Sequence, residues 1–168
     1  MNFHFTNEQL SNFENNAKRE WAITNGIGGY AGGCVLGSLG RTHQGYLIAS
    51  FHPPVERFLV FSKTNEAFCC GDNTYNLEAA QHAGEEMDIS LVSSDEVPDV
   101  YKDPSTVSVA SDFVPRKPIY TEGNKYLVSF DYDGTVCFTY KAGALTLKKY
   151  VSLVQGENTV AVAYDITN

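Results

Sequence analysis

Long apolar runs are absent from this sequence. A helix needs about 20 consecutive apolar residues to cross a bilayer, and no segment approaches that length. The polar segment 1–18 also lacks the short apolar core of a secretory signal peptide. We therefore expect a soluble, cytoplasmic chain with no membrane partner.

Basic residues are scarce. The 168 residues include 12 lysines and arginines against 20 aspartates and glutamates, which gives a formal net charge of -8 at pH 7. Surfaces that bind nucleic acids concentrate positive charge, because contacts to phosphates release counterions. The lysines and arginines of this chain are scattered along the sequence and form no such concentration of positive charge. We therefore expect no nucleic-acid partner and no affinity for anionic membranes.

Cysteines are few and poorly spaced for metal binding. Cys69 and Cys70 are adjacent, Cys34 and Cys137 stand alone, and no CxxC pair occurs. A chain of 168 residues can bury about two-thirds of its surface on folding, so its core does not need disulfides or a metal. We predict reduced thiols and no metal site.

The clearest structural pattern lies in the last third of the chain, where apolar and polar residues alternate. Aromatic residues, which favour strands, make up 12% of the chain. Gly134, Gly143 and Gly156 mark turns between four alternating segments. The segments are 126–132, 136–140, 145–153 and 160–166. We predict a four-stranded antiparallel meander.

Earlier segments show weaker strand patterns, at 46–51, 57–62 and 67–70. Helix-like spacing occurs at 7–18, and the acidic, proline-containing stretch 79–118 is typical of irregular strands and long loops. No fixed-period repeat is apparent, which disfavours a propeller or solenoid. The sequence therefore predicts an all-β fold, a large antiparallel β-sandwich with little helix.

Glycines concentrate in one segment, because half of the chain's 14 glycines lie between positions 26 and 40. Gly26, Gly28 and Ala31 satisfy a GxGxxA dinucleotide fingerprint, which needs a following helix and an acidic residue about 20 positions later. No acid occurs between Glu20 and Glu56, and the later glycines would each cost a helix about 1 kcal/mol. We predict no dinucleotide and no other cofactor.

The glycine-rich segment instead indicates a tight turn or a close approach by another surface. Trp21, Tyr30, Arg41 and His43 flank it. Aromatic faces and an arginine fork suit sugars, which present apolar C–H faces beside hydroxyl groups. The alternative is structural, with Trp21 and Tyr30 as core aromatics and Arg41 as a hydrogen-bond donor within the domain.

Several short elements of the chain match one known family. The first are Glu20-Trp21 and the run Thr24-Asn25-Gly26-Ile27-Gly28-Gly29-Tyr30-Ala31, and the later ones are Arg41–Tyr46, Pro53-Pro54 with Arg57, Ser62-Lys63, Leu147-Lys148-Lys149 and Val154–Val160. This set resembles the N-terminal domain of bacterial and archaeal glycogen debranching enzymes of the amylo-α-1,6-glucosidase type. The family has a Tyr-His pair where this chain has His43-Gln44, so a role of that histidine is not carried over to Gln44.

In that family a many-stranded β-sandwich, of the galactose-mutarotase-like supersandwich type, packs against a C-terminal (α/α)6 barrel. The resemblance implies that residues 1–168 form a single N-terminal sandwich domain. Because twelve helices of about 11 residues do not fit in this chain, we expect the barrel in a following part of the protein. The resemblance also implies that the parent protein is a glycoside hydrolase, an amylo-α-1,6-glucosidase, with 4-α-glucanotransferase activity as a further activity of the family.

Glycoside hydrolysis needs two carboxylates that flank the scissile bond. The acidic runs around Glu85 and Asp95 lie in the loop-like middle, where a solvated charged face is the simpler interpretation. Glu20 stands alone beside the glycine-rich motif. We therefore predict no catalytic residue in this chain, with the barrel supplying the acid and the base.

The resemblance makes seven residues of the motif candidates for contact with substrate or with the barrel. They are Trp21, Asn25, Gly28, Gly29, Tyr30, Arg41 and His43. The implied partners are an α-glucan, such as glycogen or a maltooligosaccharide, bound through the parent enzyme, and the chain's own catalytic domain. The alternative function is a stand-alone carbohydrate-binding or interaction module without enzyme activity.

Overall fold

The computed structural model describes residues 2–41, 43–53, 55–70, 72–81, 119–120 and 122–168. Residues 1–81 and 120–168 belong to one compact unit, which is separate from residues 82–119. The elements given below belong to the first unit, except for Ile119. The predicted irregular stretch 79–118, with its acidic runs, lies outside the described residues from position 82 onward.

Strands dominate the described part of the chain. They are β1 (Phe3–Thr6), β2 (Glu20–Thr24), β3 (Tyr30–Cys34), β4 (Gly45–His52), β5 (Val55–Phe61), β6 (Ala67–Cys70), β7 (Asn73–Asn76), β8 (Ala80–Gln81), β9 (Ile119–Tyr120), β10 (Leu127–Tyr132), β11 (Val136–Ala142), β12 (Leu145–Leu153) and β13 (Val160–Thr167).

The helices that the structure describes are short. They are α1 (Asn7–Leu10), α2 (Phe13–Asn16) and a 3-10 helix at Gly123–Tyr126. The helix-like segment 7–18 thus forms two separate turns, because Asn12 caps α2 and accepts a hydrogen bond from the Asn15 N–H at 2.9 Å. Among the described residues, no helix is long and apolar enough to cross a membrane.

Two antiparallel sheets hold most of the described strands. The larger has the order β1-β10-β11-β12-β13, and the smaller has the order β2-β3-β4-β5. The predicted meander is confirmed as β10 to β13, and its turn glycines Gly134, Gly143 and Gly156 have φ angles of 108°, 63° and 79°. The fold is therefore all-β and antiparallel with little helix, as predicted.

The core lies between the inner faces of these two sheets. Alternation along β2 buries Trp21 and Ile23 and exposes the residues between them. The ring centroid of Trp21 lies 6.1 Å from that of Tyr46 and 6.3 Å from that of Phe138, so aromatic contacts join the sheets. The opposite side of the four-stranded sheet is called the outer face below.

Candidate functional site

The glycine-rich motif forms the loop between β2 and β3, residues 25–29, called the glycine loop below. Gly26 and Gly28 have φ angles of 82° and 99°, a region that residues with a Cβ rarely adopt. The backbone N–H of Asn25 donates to the carbonyl of Gly29 at 3.1 Å and closes the loop. The glycines therefore permit the tight reversal that the sequence indicated.

Asn25 is the internal anchor of the glycine loop, with none of its surface exposed. Its Nδ2 donates to the carbonyl of Glu157 at 2.8 Å and to Oδ1 of Asn158 at 3.2 Å. Its Oδ1 accepts from the Ile27 N–H at 3.2 Å. Because these partners all belong to the same domain, the Asn25 amide is not presented to a sugar or to another domain.

Gly29 is required by the close approach of this anchor. A Cβ at this position would lie 2.5 Å from Nδ2 of Asn25 and 3.0 Å from Oδ1 of Asn158. Real Cβ atoms do not approach other atoms as closely as 2.5 Å. The glycine is therefore explained by packing inside the domain, whatever the loop contacts outside it.

The turn between β12 and β13, residues 154–159, holds the glycine loop from the other sheet. The Gly156 N–H donates to the carbonyl of Asn25 at 2.7 Å, and Nε2 of Gln155 donates to the carbonyl of Thr24 at 2.8 Å. The Asn158 side chain donates to the Ser50 carbonyl at 2.7 Å and accepts from the Ser50 N–H at 3.1 Å. The two motifs that matched the family at opposite ends of the chain therefore form one connected structure.

A shallow depression of about 400 Å³ lies on the outer face beside the glycine loop. Its lining consists of Ala22, Thr24, Gly26, Gly28, Gly29, Tyr30 and Arg57. Strand pairing aligns Thr24, Tyr30, Ile48 and Leu59 in one row across all four strands. Leu59 is 51% exposed, so the row presents apolar surface next to the depression.

Tyr30 and Arg57 form the polar part of the depression. The Tyr30 hydroxyl donates to the carbonyl of His43 at 2.8 Å, and the guanidinium carbon of Arg57 lies 6.0 Å from the Tyr30 ring centroid. Nε of Arg57 donates to the carbonyl of Gly28 at 2.7 Å. Partial burial raises the pKa of the Tyr30 phenol, and the positive charge of Arg57 opposes that rise.

A family model described as "Glycogen debranching enzyme N terminal" matches residues 19–168. The chain belongs to this family. The resemblance read from the motifs is thereby confirmed. No curated protein and no solved structure gives a match.

Trp21, in the opening signature of this glycogen debranching enzyme N-terminal domain, is a core residue. It is 6% exposed, and its indole N–H donates to the carbonyl of Cys34 at 3.2 Å. Its ring contacts Tyr46 and Phe138 rather than solvent. Of the two alternatives for Trp21, stacking on a sugar and packing in the core, the structure therefore supports the core.

The other candidates lie around the outer edge of the glycine-rich motif. Nε of Arg41 lies 2.8 Å from the Glu20 carboxylate in an exposed ion pair. His43 is exposed and contributes its backbone carbonyl to the bond with Tyr30. Gln44, where the debranching family has a histidine, is buried, and its Oε1 accepts from the N–H groups of Gly40 and Arg41. Gln44 therefore orders the loop before β4.

Three residues of the debranching-family domain were not predicted as site residues. They are Arg57, Gln155 and Asn158. Each lies in an element that matched the family, and that match was the sequence feature that could have identified them as site residues. Arg57 is 29 positions away from its partner Gly28. Gln155 is 131 positions away from its partner Thr24. Local sequence patterns do not reveal pairings over such separations. Within the described residues, no group of three or more His, Cys, Asp or Glu side chains could hold a metal ion.

Proposed function

We propose that this domain is the non-catalytic N-terminal module of an α-glucan debranching enzyme. In this proposal it packs on a C-terminal (α/α)6 glucosidase barrel of the same protein and helps to shape the site for α-1,6 branch points. Family membership supports the debranching context. The depression formed by the glycine loop, Tyr30 and Arg57 is the observation that supports this surface as the place where the barrel contacts the domain.

The depression suits a contact surface because its parts are ordered before any partner binds. Hydrogen bonds from Asn25 and Gln155 hold both sides of the glycine loop. The bond from Arg57 to the Gly28 carbonyl fixes the tip of that loop. Ordering a loop during association costs free energy, so a loop that is already ordered favours binding.

In this proposal the barrel supplies both catalytic carboxylates. Glycoside hydrolysis uses one carboxyl group as the acid and a second as the base or nucleophile. Glu20, the acid of the motif, already pairs with Arg41. We also propose a cytoplasmic location, which the free thiols of Cys34, Cys69 and Cys137 support, because reduced thiols are typical of that compartment.

The coding sequence after Asn168 gives the first test of this proposal. We expect it to continue into roughly 400 or more residues of helical hairpins. A stop codon directly after Asn168 would contradict the proposal.

Tyr30→Ala is expected to lower kcat/KM of the full-length enzyme on branched dextrin by about two- to tenfold, because an aromatic contact is worth about 0.5–1.5 kcal/mol. Tyr30→Phe is the matched control, since it keeps the ring and removes the hydrogen bond to the His43 carbonyl. Circular dichroism of both variants checks that they fold. Unchanged kinetics of Tyr30→Ala would remove Tyr30 from the site.

The second candidate function is a carbohydrate-binding module that works without a barrel. The half-buried Tyr30 and the exposed Arg57 of the depression favour it, because a ring and a guanidinium can both contact a sugar. Isothermal titration of residues 1–168 with maltooligosaccharides is then expected to give heat that Tyr30→Ala abolishes. An absence of heat at millimolar ligand would count against independent sugar binding.

A further inference from the structure

Arg57 is held in place by two contacts within the domain. Its Nε donates to the Gly28 carbonyl at 2.7 Å, and its guanidinium lies over the Tyr30 ring. A bond through Nε and a neighbouring aromatic ring together restrict the position of a guanidinium. The group is therefore oriented before any partner arrives.

The two Nη nitrogens of Arg57 have no acceptor among the described residues. An arginine has five N–H donors, and the bond from Nε to Gly28 accounts for one of them. The residues that line the depression with Arg57 include no carboxylate. Arg41, exposed in the loop between β3 and β4, differs in this respect, because its Nε lies 2.8 Å from the carboxylate of Glu20.

Among the described residues Arg57 is paired with no carboxylate, so it presents a positive charge on a chain whose net charge is -8. The remaining N–H donors form the fork that matches a carboxylate in two parallel hydrogen bonds. The neighbouring apolar surface of Leu59 and the Tyr30 ring resembles the composition of protein interfaces, where arginine and aromatic residues are enriched. A sugar fits less well, since it would compete for the Tyr30 ring with the guanidinium, whose carbon lies 6.0 Å from the ring centroid.

We propose that the depression is a docking site for an aspartate or glutamate side chain of the catalytic domain, and that Arg57 is the residue that binds it. This inference rests on the proposed function, because it names the surface through which the module contacts the barrel. Tyr30 and Gly28 act by orienting the guanidinium. In this arrangement the glycine loop is an interdomain contact and not a subsite for glucan.

The test uses Arg57→Lys in the full-length protein, followed by a water-soluble carbodiimide and peptide mass spectrometry. The substitution keeps the positive charge and introduces a primary amine. A carbodiimide couples this amine to a nearby carboxylate and forms an amide. The water lost in that coupling converts the carbodiimide to a urea. We expect a cross-linked peptide that joins position 57 to an Asp or Glu beyond residue 168. The wild-type protein is expected to lack this product.

Arg41→Lys is the matched positive control. Because Arg41 already pairs with Glu20, this variant is expected to give a cross-link within the chain, which shows that the reaction works. With that control positive, an Arg57→Lys product that stays within residues 1–168, joins two copies of the protein, or does not form would overturn the proposal. Loss of the product in millimolar maltohexaose would overturn it in favour of glucan.

A charge exchange provides an independent second measurement. Arg57→Glu is expected to separate the melting transitions of the two domains in calorimetry, and an arginine at the cross-linked acid is expected to restore a joint transition. Failure of this rescue would contradict direct pairing. A coding sequence that ends at Asn168 would instead refute the proposed function itself, so the two failures are distinguishable.

Discussion

Lys149→Ala is expected to lower the free energy of unfolding by about 3–5 kcal/mol, the cost of removing one partner of a buried ion pair. Lys149 is 1% exposed, and its Nζ lies 2.9 Å from both carboxylate oxygens of Glu66. It also donates to the Thr64 carbonyl at 3.3 Å. The alanine variant would leave the Glu66 charge largely buried without its cation.

The surroundings of Lys149 explain why this loss is large. Its Nζ lies 4.8 Å from the ring centroid of Tyr46, and Lys63 and Glu78 form a second ion pair with little exposure. Burial lowers the pKa of the Lys149 amine, and the nearby Glu66 carboxylate opposes that change. The charge is therefore maintained by its partner in a region with little water.

The control for Lys149→Ala is the double variant Lys149→Met with Glu66→Leu. Replacing both members of a buried pair by apolar side chains of similar volume is often neutral or stabilising. We therefore expect the double variant to regain most of the stability that Lys149→Ala loses. Urea unfolding at pH 7 measures both, and an alanine variant within about 1 kcal/mol of the wild type would contradict the assigned role.

Local alternation predicts much of this fold but not the partners of its buried polar groups. Leu147, Lys149 and Val151 share one face of β12, so the period of two places the lysine in the core. Glu66, its partner, is 83 positions away, and no local pattern indicates that pairing. The same alternation along β2 buries Trp21, for which the sequence left open both sugar stacking and core packing.

The candidate site shows the same limit. The tight glycine loop could be predicted because turn chemistry is local. The burial of Asn25 could not, since its partner Asn158 is 133 positions away. Arg57 matched the family beside Pro53-Pro54, but its contact with Gly28 depends on how β5 pairs in the sheet.

Gly29→Ala is expected to destabilise the domain by about 2–3 kcal/mol, because the added Cβ would displace the Asn25 amide from its buried hydrogen bonds. The new atom would lie 2.5 Å from Nδ2 of Asn25, and that nitrogen donates to Glu157 and Asn158. Gly40→Ala is the matched control, since its nearest neighbour would be 3.9 Å away. Urea unfolding measures both variants.

A double-mutant cycle tests whether the cost of Gly29→Ala acts through Asn25. Asn25→Ala alone loses the same bonds to Glu157 and Asn158, so we expect the double variant to be little less stable than Asn25→Ala. If the losses of stability caused by Gly29→Ala and Asn25→Ala simply add in the double variant, the new Cβ at position 29 acts on a group other than the Asn25 amide. Because the glycine loop carries the Gly28 carbonyl that orients Arg57, Gly29→Ala combined with Arg57→Lys should also reduce the interdomain cross-link.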